Sequence, residues 1–268
     1  GTPDDASDDT LYVGTISQYD DYEGGEWLTG TGSKVMALTG LDQNKPTVTN
    51  VLTGINGQIN TPITTDGTYL YFGTWPGGSN AGTYYQVKLS DYSVKTFTPD
   101  SYGFYWAGAV SDGTNVYFGS DNGLLYWRSI ADFDTTGGVL DLTDVASDAG
   151  NVRSTVMLDD GYLYFTTQGG YLWCCSYDDG LTVEWHKKLG ATSTSTPTKV
   201  GDRIYVGYYS GFNAGGVQCV SADGSSVKTV VEGDGFPVQS SIVVMGDGTG
   251  TDYLYFNTNA QKGAGYCY

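Results

Sequence analysis

A short strand is written six times along this chain, and it leaves the fold little freedom. Leu11-Tyr12-Val13-Gly14 returns as Leu70-Tyr71-Phe72-Gly73, Val116-Tyr117-Phe118-Gly119, Leu163-Tyr164-Phe165-Thr166, Ile204-Tyr205-Val206-Gly207 and Leu254-Tyr255-Phe256-Asn257. Each copy sets an apolar residue, a tyrosine and a second β-former ahead of a small or turn-prone residue, as a buried strand running into a tight turn requires. The tyrosines stand 41 to 59 residues apart. Such a period marks a repeat architecture, in which each unit buries its apolar faces against its neighbours.

Three further pieces recur around this strand, called B. Ahead of it come small residues (Thr2-Pro3, Thr61-Pro62, Ala107-Gly108, Ser154-Thr155, Thr196-Pro197, Ser240-Ser241), then a short apolar run and an Asp/Gly turn; this is strand A. Small side chains at one point of every repeat are expected where strands crowd around a common axis. Strand C follows as Lys34 to Leu38, Tyr84 to Leu89, Leu124 to Trp127, Tyr171 to Cys175, Gly216 to Val220 and Gly265 to Tyr268. A variable strand D is visible in four repeats, at Thr47 to Val51, Val94 to Phe97, Leu181 to Trp185 and Val227 to Val231. Four short antiparallel strands per repeat make a propeller blade. The expectation is an all-β, six-bladed β-propeller forming one domain over 1–268, with repeats at about 1–54, 55–99, 100–150, 151–191, 192–235 and 236–268; the last stops inside strand C, so that its blade is three-stranded, is closed with help from the N-terminal ten residues, or continues in a longer natural chain.

The run Asp160-Gly161-Tyr162-Leu163-Tyr164-Phe165-Thr166-Thr167-Gln168-Gly169-Gly170-Tyr171-Leu172-Trp173, continuing through Asp179-Gly180 to Trp185, resembles the pyrroloquinoline-quinone-like repeat. Ser111 to Arg128 and Val200 to Asp223 match the same pattern. The resemblance implies a propeller of the quinoprotein alcohol dehydrogenase-like class. The family's closing tryptophan is present once, at Trp185, and is degraded elsewhere, for example to Phe97.

Composition bounds the partners. With 30 acidic and 12 basic side chains the formal charge is −18, so nucleic acid and anionic lipid surfaces are repelled. Most of the aspartates sit in turns, where they serve local backbone N–H groups. Forty glycines and 23 tyrosines argue against helices. No apolar run is long enough to span a membrane. A start at Gly1, few lysines and abundant Tyr, Thr, Gly and Asn fit a processed protein that is extracellular or displayed at the cell surface.

No catalytic constellation is visible. Cys174, Cys219 and Cys267 fill one repeated strand C position and read as small buried hydrophobes. Cys175 forms a vicinal pair with Cys174, and in some quinone-dependent relatives of this class a vicinal disulfide lies against the cofactor. Inside a strand the two side chains point to opposite faces, which favours structural thiols. The acidic and amide groups that such enzymes use for Ca²⁺ and the quinone have no counterpart by motif, so pyrroloquinoline quinone is not expected. The single His186 has no nucleophile motif around it, and no metal site is expected. Asp247 to Asp252 and Asp20 to Glu23 offer oxygen ligands for Ca²⁺ without the full loop pattern.

The functional signal lies in the loops between strands B and C. Repeats three and four turn tightly, through Asp121-Asn122-Gly123 and Gln168-Gly169-Gly170. The other four carry long insertions: Ser17 to Ser33, Trp75 to Thr83, Tyr208 to Gly215 and Asn257 to Gly263. Their candidate binding residues are Tyr19, Tyr22, Trp27, Trp75, Asn80, Tyr208, Tyr209, Phe212, Asn213 and Asn259. Aromatic rings with Asn and Gly on loops of a rigid scaffold suit recognition of a protein or a carbohydrate. Closing the ring would make the four insertions neighbours. The competing readings are rings folded back as cover, a quinone-dependent enzyme or ligand sensor using the axial funnel, and a structural scaffold.

Overall fold

The computed structural model describes residues 7–16, 19–23, 26–29, 32–178, 180–234, 237–246, 252–259 and 267. The chain divides into two compact units, Gly1–Tyr105 and Trp106–Tyr268.

In the first unit, β1 (Thr10–Gly14) is followed by the hairpin β2 (Tyr19–Glu23) and β3 (Glu26–Thr29), then β4 (Ser33–Thr39) and β5 (Thr47–Ile55). Strands β1, β4 and β5 form a three-stranded sheet, while β2 and β3 pair only with each other. The second repeat is a four-stranded antiparallel meander of β6 (Thr64–Thr65), β7 (Tyr69–Gly73), β8 (Tyr84–Lys88) and β9 (Val94–Phe97).

Three such meanders open the second unit: β10 (Val110–Ser111) to β13 (Gly137–Asp141) through β11 (Asn115–Ser120) and β12 (Leu124–Ser129); β14 (Met157–Asp159) to β17 (Thr182–Lys188) through β15 (Tyr162–Thr167) and β16 (Tyr171–Ser176); and β18 (Thr198–Val200) to β21 (Val227–Asp234) through β19 (Arg203–Ser210) and β20 (Ala214–Ser221). Strands β22 (Val243–Gly246) and β23 (Asp252–Tyr255) pair as the sixth sheet. The helical content among the described residues is one 3-10 turn, Leu142–Asp144. Thr2-Pro3 and, in the last expected strand, Gly265, Tyr266 and Tyr268 lie outside the described residues. Strand β13, in the one internal repeat where the sequence showed no strand D, is made largely of Gly137, Gly138 and Val139.

The fourth residue of the recurring strand is small for a packing reason. A Cβ on Gly14, Gly73, Gly119 or Gly207 would fall 2.7, 2.5, 2.3 or 2.5 Å from the side chain of Ile59, Phe104, Val152 or Val238 respectively. Each of these four apolar residues lies on the connection to the following repeat and donates its backbone N–H to the residue after that small position, at Thr15, Thr74, Ser120 and Tyr208. In the fourth repeat Thr166 takes the place of glycine, and the facing connection carries the smaller Ser193.

The small residues ahead of strand A crowd together as expected in repeats three to five, where Gly108 donates to Thr155 and Thr155 to Thr196, and they have a second role. Strand A is short, so β6 reaches only Tyr71 and Leu70 of its neighbour. Thr61 Oγ1 takes over at the next B residue, accepting from Gly73 N at 2.8 Å and donating to Gly73 O at 3.2 Å. Ser154 does the same for Thr166, and Ser240 for Asn257. The side-chain hydroxyl thus stands in for a missing main-chain partner.

Register then places one row of side chains on a single face of each sheet. From strand B outward these rows read Tyr12-Ala37-Thr49, Tyr71-Gln86-Lys95, Tyr117-Trp127-Gly138, Tyr164-Cys174-Trp185 and Tyr205-Cys219-Lys228. The counterpart of Trp185 in the second repeat is therefore Lys95, not Phe97, which pairs with Tyr84. The tyrosine face packs on the opposite face of the next sheet: Val35 and Ala37 against Leu70 and Phe72 in the first unit, Tyr117 and Leu125 against Phe165 and Trp173, and Tyr164 and Cys174 against Ile204 and Val206 in the second.

Candidate functional site

Within each unit, the B to C turns and the connections between repeats share one end of the sheets. In the first unit Gln58 pairs with Trp75 and Ile59 with Thr15. In the second, Asn151 accepts from Asn122 N at 2.8 Å and donates to Gln168 at 2.9 Å, joining the two tight turns. Beside them Arg153 forms a two-pronged pair with Asp121, both bonds 2.7 Å, with the carboxylate almost fully buried.

Most of the predicted binding residues described in full lie in the fifth-repeat hairpin. The segment read as an inserted loop is an extension of β19 and β20: Tyr208 faces Gly216, Tyr209 faces Gly215 and Ser210 faces Ala214. Strand β21 lengthens with them, pairing as far as Asp234 with Ala214. The tip is Gly211-Phe212-Asn213, where Gly211 adopts φ +59 and Phe212 is 49% exposed. Tyr208 is buried, its ring against Gly190, and half-buried Tyr209 is bridged to Thr192. A cleft of about 570 Å³ runs along this hairpin, lined by Tyr208, Ser210, Gln218, Thr229 and Glu232 among others. Gln218 is fixed there, accepting from Gly190 N at 2.9 Å and donating to Thr229 at 3.2 Å. Asn259, in the sixth repeat, is exposed and donates to Gln239.

In the first unit, Asn80 is exposed, whereas Trp75 is half-buried with its ring edge-on to Tyr105 at 5.0 Å. The buried indole N–H of Trp75 has no hydrogen-bond partner among the described residues. Tyr19, Tyr22 and Trp27 stand on β2 and β3, where Tyr22 is the cross-strand partner of Trp27; only their backbone is described.

The candidate chemical residues are built into the sheets. Cys174 packs with Leu172 and Ile204, Cys175 on the other face with Phe165 and Trp173, and both are free thiols. Burial pushes the Cys174 thiol up to about 11 and raises that of Cys175 as well. Exposed His186 stacks on Trp173 with ring centroids 4.8 Å apart. Among the described residues no group of three His, Cys, Asp or Glu side chains is placed to hold a metal ion. Of the loops with Ca²⁺-type ligands, 247–251 lies outside the described residues, and 20–23 is strand β2. No helix among the described residues is long and apolar enough to cross a membrane.

The sequence reading missed two clefts at the opposite end of the sheets, by the A to B and C to D turns. Where the fourth sheet meets the fifth, Trp185 fills the seam: its ring lies 6.1 Å from that of Tyr164, and it packs on Gly224. The third sheet has Gly138 at that row position, and a cleft of about 390 Å³ opens along Tyr117, Trp127 and Tyr177. The fifth has Lys228, and a cleft of about 440 Å³ opens along Arg203, Tyr205 and Cys219. The sequence signal for the cleft of the fifth sheet was Lys228 in place of tryptophan on strand D; for the third, where no strand D is visible in the sequence, there was none.

No family model matches this sequence, and no curated protein matches it. Among solved structures, a europium-containing methanol dehydrogenase aligns with 48% of this chain at 19% identity and a TM-score of 0.38; the chain spans 24% of that protein's length. BamB from Moraxella catarrhalis aligns with 88% of this chain and 82% of its own at 13% identity and a TM-score of 0.50. With its succession of antiparallel meanders and this likeness over most of both chains, the protein has an all-β propeller fold.

Proposed function

We propose that this protein is a non-catalytic binding propeller, extracellular or displayed at the cell surface, that recognises a protein or a glycan through the enlarged B to C loops. The observation that carries this reading is the fifth-repeat hairpin. Its tip presents Phe212 and Asn213 to solvent on a hairpin whose strand β20 is paired along both sides, next to the cleft of about 570 Å³. An aromatic ring has few rotors to freeze, an adjacent amide supplies directional hydrogen bonds, and a stiff support lowers the entropic cost of contact. Trp75 and Asn80 occupy the corresponding end of the first unit, and Tyr19, Tyr22 and Trp27 ride on the β2-β3 hairpin. A net charge of −18 favours a partner that is not itself polyanionic. No cofactor enters this proposal.

A photo-crosslinking residue at position 212, with one at exposed Val94 as control, tests it alongside titration of an oligosaccharide panel against the wild type and a Phe212→Ala/Asn213→Ala variant. Crosslinks concentrated at 212, or a glycan affinity that falls at least about tenfold in the variant at unchanged thermal midpoint, support the reading. Equal crosslinking at both positions together with no glycan response would refute it.

A further inference from the structure

The seam between the third and fourth sheets differs from the sealed seam beside it by one relocated ring. In the fourth sheet the row Tyr164-Cys174-Trp185 puts the indole on strand D, where it reaches the Asp223-Gly224 turn of the next sheet. In the third sheet the row reads Tyr117-Trp127-Gly138, so the indole stands one strand further in. Trp127 lies over Gly138, whose Cβ would meet Trp127 Nε1 at 2.6 Å. The space that a strand D tryptophan fills elsewhere is left open, with a volume of about 390 Å³.

Three aromatic rings and one carboxylate line that space. Tyr117 and Tyr177 have ring centroids 5.3 Å apart at 49°, and Trp127 forms a further wall. Asp178 stands at the rim, exposed. Asp112, behind the ring, accepts the Tyr117 hydroxyl at 2.7 Å. No lysine or arginine is among the described residues lining this cleft, in contrast to the 440 Å³ cleft with its Arg203 and Lys228. Ring faces carry negative electrostatic potential and attract cations, and a carboxylate adds to that attraction. Burial and the nearby Asp112 and Asp178 raise the Tyr177 hydroxyl above its ordinary value, in keeping with a negative local field.

We propose that the cleft walled by Tyr117, Trp127 and Tyr177 and edged by Asp178 binds an organic cation, an alkylammonium or guanidinium head group. The group enters between Trp127 and Tyr177, its charge against the rings and Asp178.

Calorimetric titration of the full chain with choline, with N-acetyl-arginine amide and with 3,3-dimethyl-1-butanol, the uncharged isostere of choline, tests this. Binding of either cation, with the isostere at least about tenfold weaker, is expected. The two cationic probes separate a free quaternary ammonium from a basic side chain as the source. Asp178→Asn, at an exposed site, should weaken the preferred cation about threefold, and Tyr177→Ala about tenfold. Trp127→Cys/Gly138→Trp rebuilds the row of the fourth sheet, so it should abolish binding without lowering the thermal midpoint. Equal affinity for the isostere, no binding of either cation at millimolar concentration, or undiminished binding in both Asp178→Asn and the rebuilt variant overturns the proposal.

Discussion

Trp185 occupies the room that Gly224 leaves by having no side chain: a Cβ there would sit 2.5 Å from Trp185 Cδ2. Gly224 also adopts φ +69, a conformation that costs any other residue strain. Gly224→Ala should therefore destabilise the protein by about 1–3 kcal/mol. Trp185→Ala, which opens the seam instead of overfilling it, should cost about 2–4 kcal/mol. Urea midpoints at constant slope measure both, and a Gly224→Ala midpoint equal to wild type would show that the contact is slack.

The Arg153-Asp121 pair ties the tight turn of the third repeat to the connection entering the fourth. Its two 2.7 Å bonds join groups whose side chains are 18% and 6% exposed. Removing Arg153 leaves the buried Asp121 carboxylate without its ion pair, so Arg153→Ala should cost about 3–5 kcal/mol and Asp121→Ala less. Arg153→Ala/Asp121→Ala should lose much less than the sum of the single changes. Full additivity in the double-mutant cycle would mean that the pair contributes no coupling.

Two of the repeated tyrosines are anchored by the aspartate five residues ahead of them. Tyr71 donates to Asp66 at 2.8 Å and Tyr117 to Asp112 at 2.7 Å, while the other oxygen of each carboxylate accepts two turn N–H groups. Tyr71→Phe should cost about 1–2 kcal/mol. Asp66→Ala removes the turn bonds as well and should cost more. A Tyr71→Phe protein with the wild-type melting temperature would reduce the hydroxyl to an ornament of the ring.

The thiols should react in order of exposure. Cys267 is exposed, Cys219 half-buried, and Cys174 and Cys175 buried. With its thiol moved by burial from 9.0 to about 11, Cys174 is overwhelmingly protonated near pH 8. Iodoacetamide at that pH should modify Cys267 first and leave Cys174 and Cys175 intact until the chain unfolds; mass spectrometry of the native digest reads the result. The same shift sets an alkaline limit. The folded state holds its proton to a higher pH than the unfolded one, so this contribution to stability is complete below pH 9 and is lost as the pH rises toward 11. Burial raises the hydroxyls of Tyr71, Tyr117 and Tyr164 in the same direction. Urea midpoints that stay level from pH 8 to pH 11 would contradict this.

The repeat, strand B and the lack of α-helix among the described residues were legible because tyrosine, glycine and apolar residues recur at fixed offsets. Strand β13 was not, since Gly137 and Gly138 have little strand preference of their own and are held by pairing with Arg128 and Trp127. The insertion bearing Tyr22 and Trp27 reads as a loop from its composition but carries the paired strands β2 and β3. Equating Phe97 with Trp185 failed because the C to D turn is one residue longer in the fourth repeat and a register shift between Cys174 and Cys175 adds another, which spacing alone does not reveal. Phe212 and Asn213 announced themselves by type. The seam beside Trp127 did not, because what defines it is a side chain that Gly138 lacks.

The lengthened hairpin of the fifth repeat bears on how this molecule meets proteases. Ser210 to Asn213 is the most accessible stretch of that finger, and a nick there would sever the chain between two strands held together by eight residue pairs. The halves would travel as one particle under native conditions and come apart only in denaturant. A single cut at the exposed tip would therefore leave the assembly whole while erasing the surface that Phe212 presents.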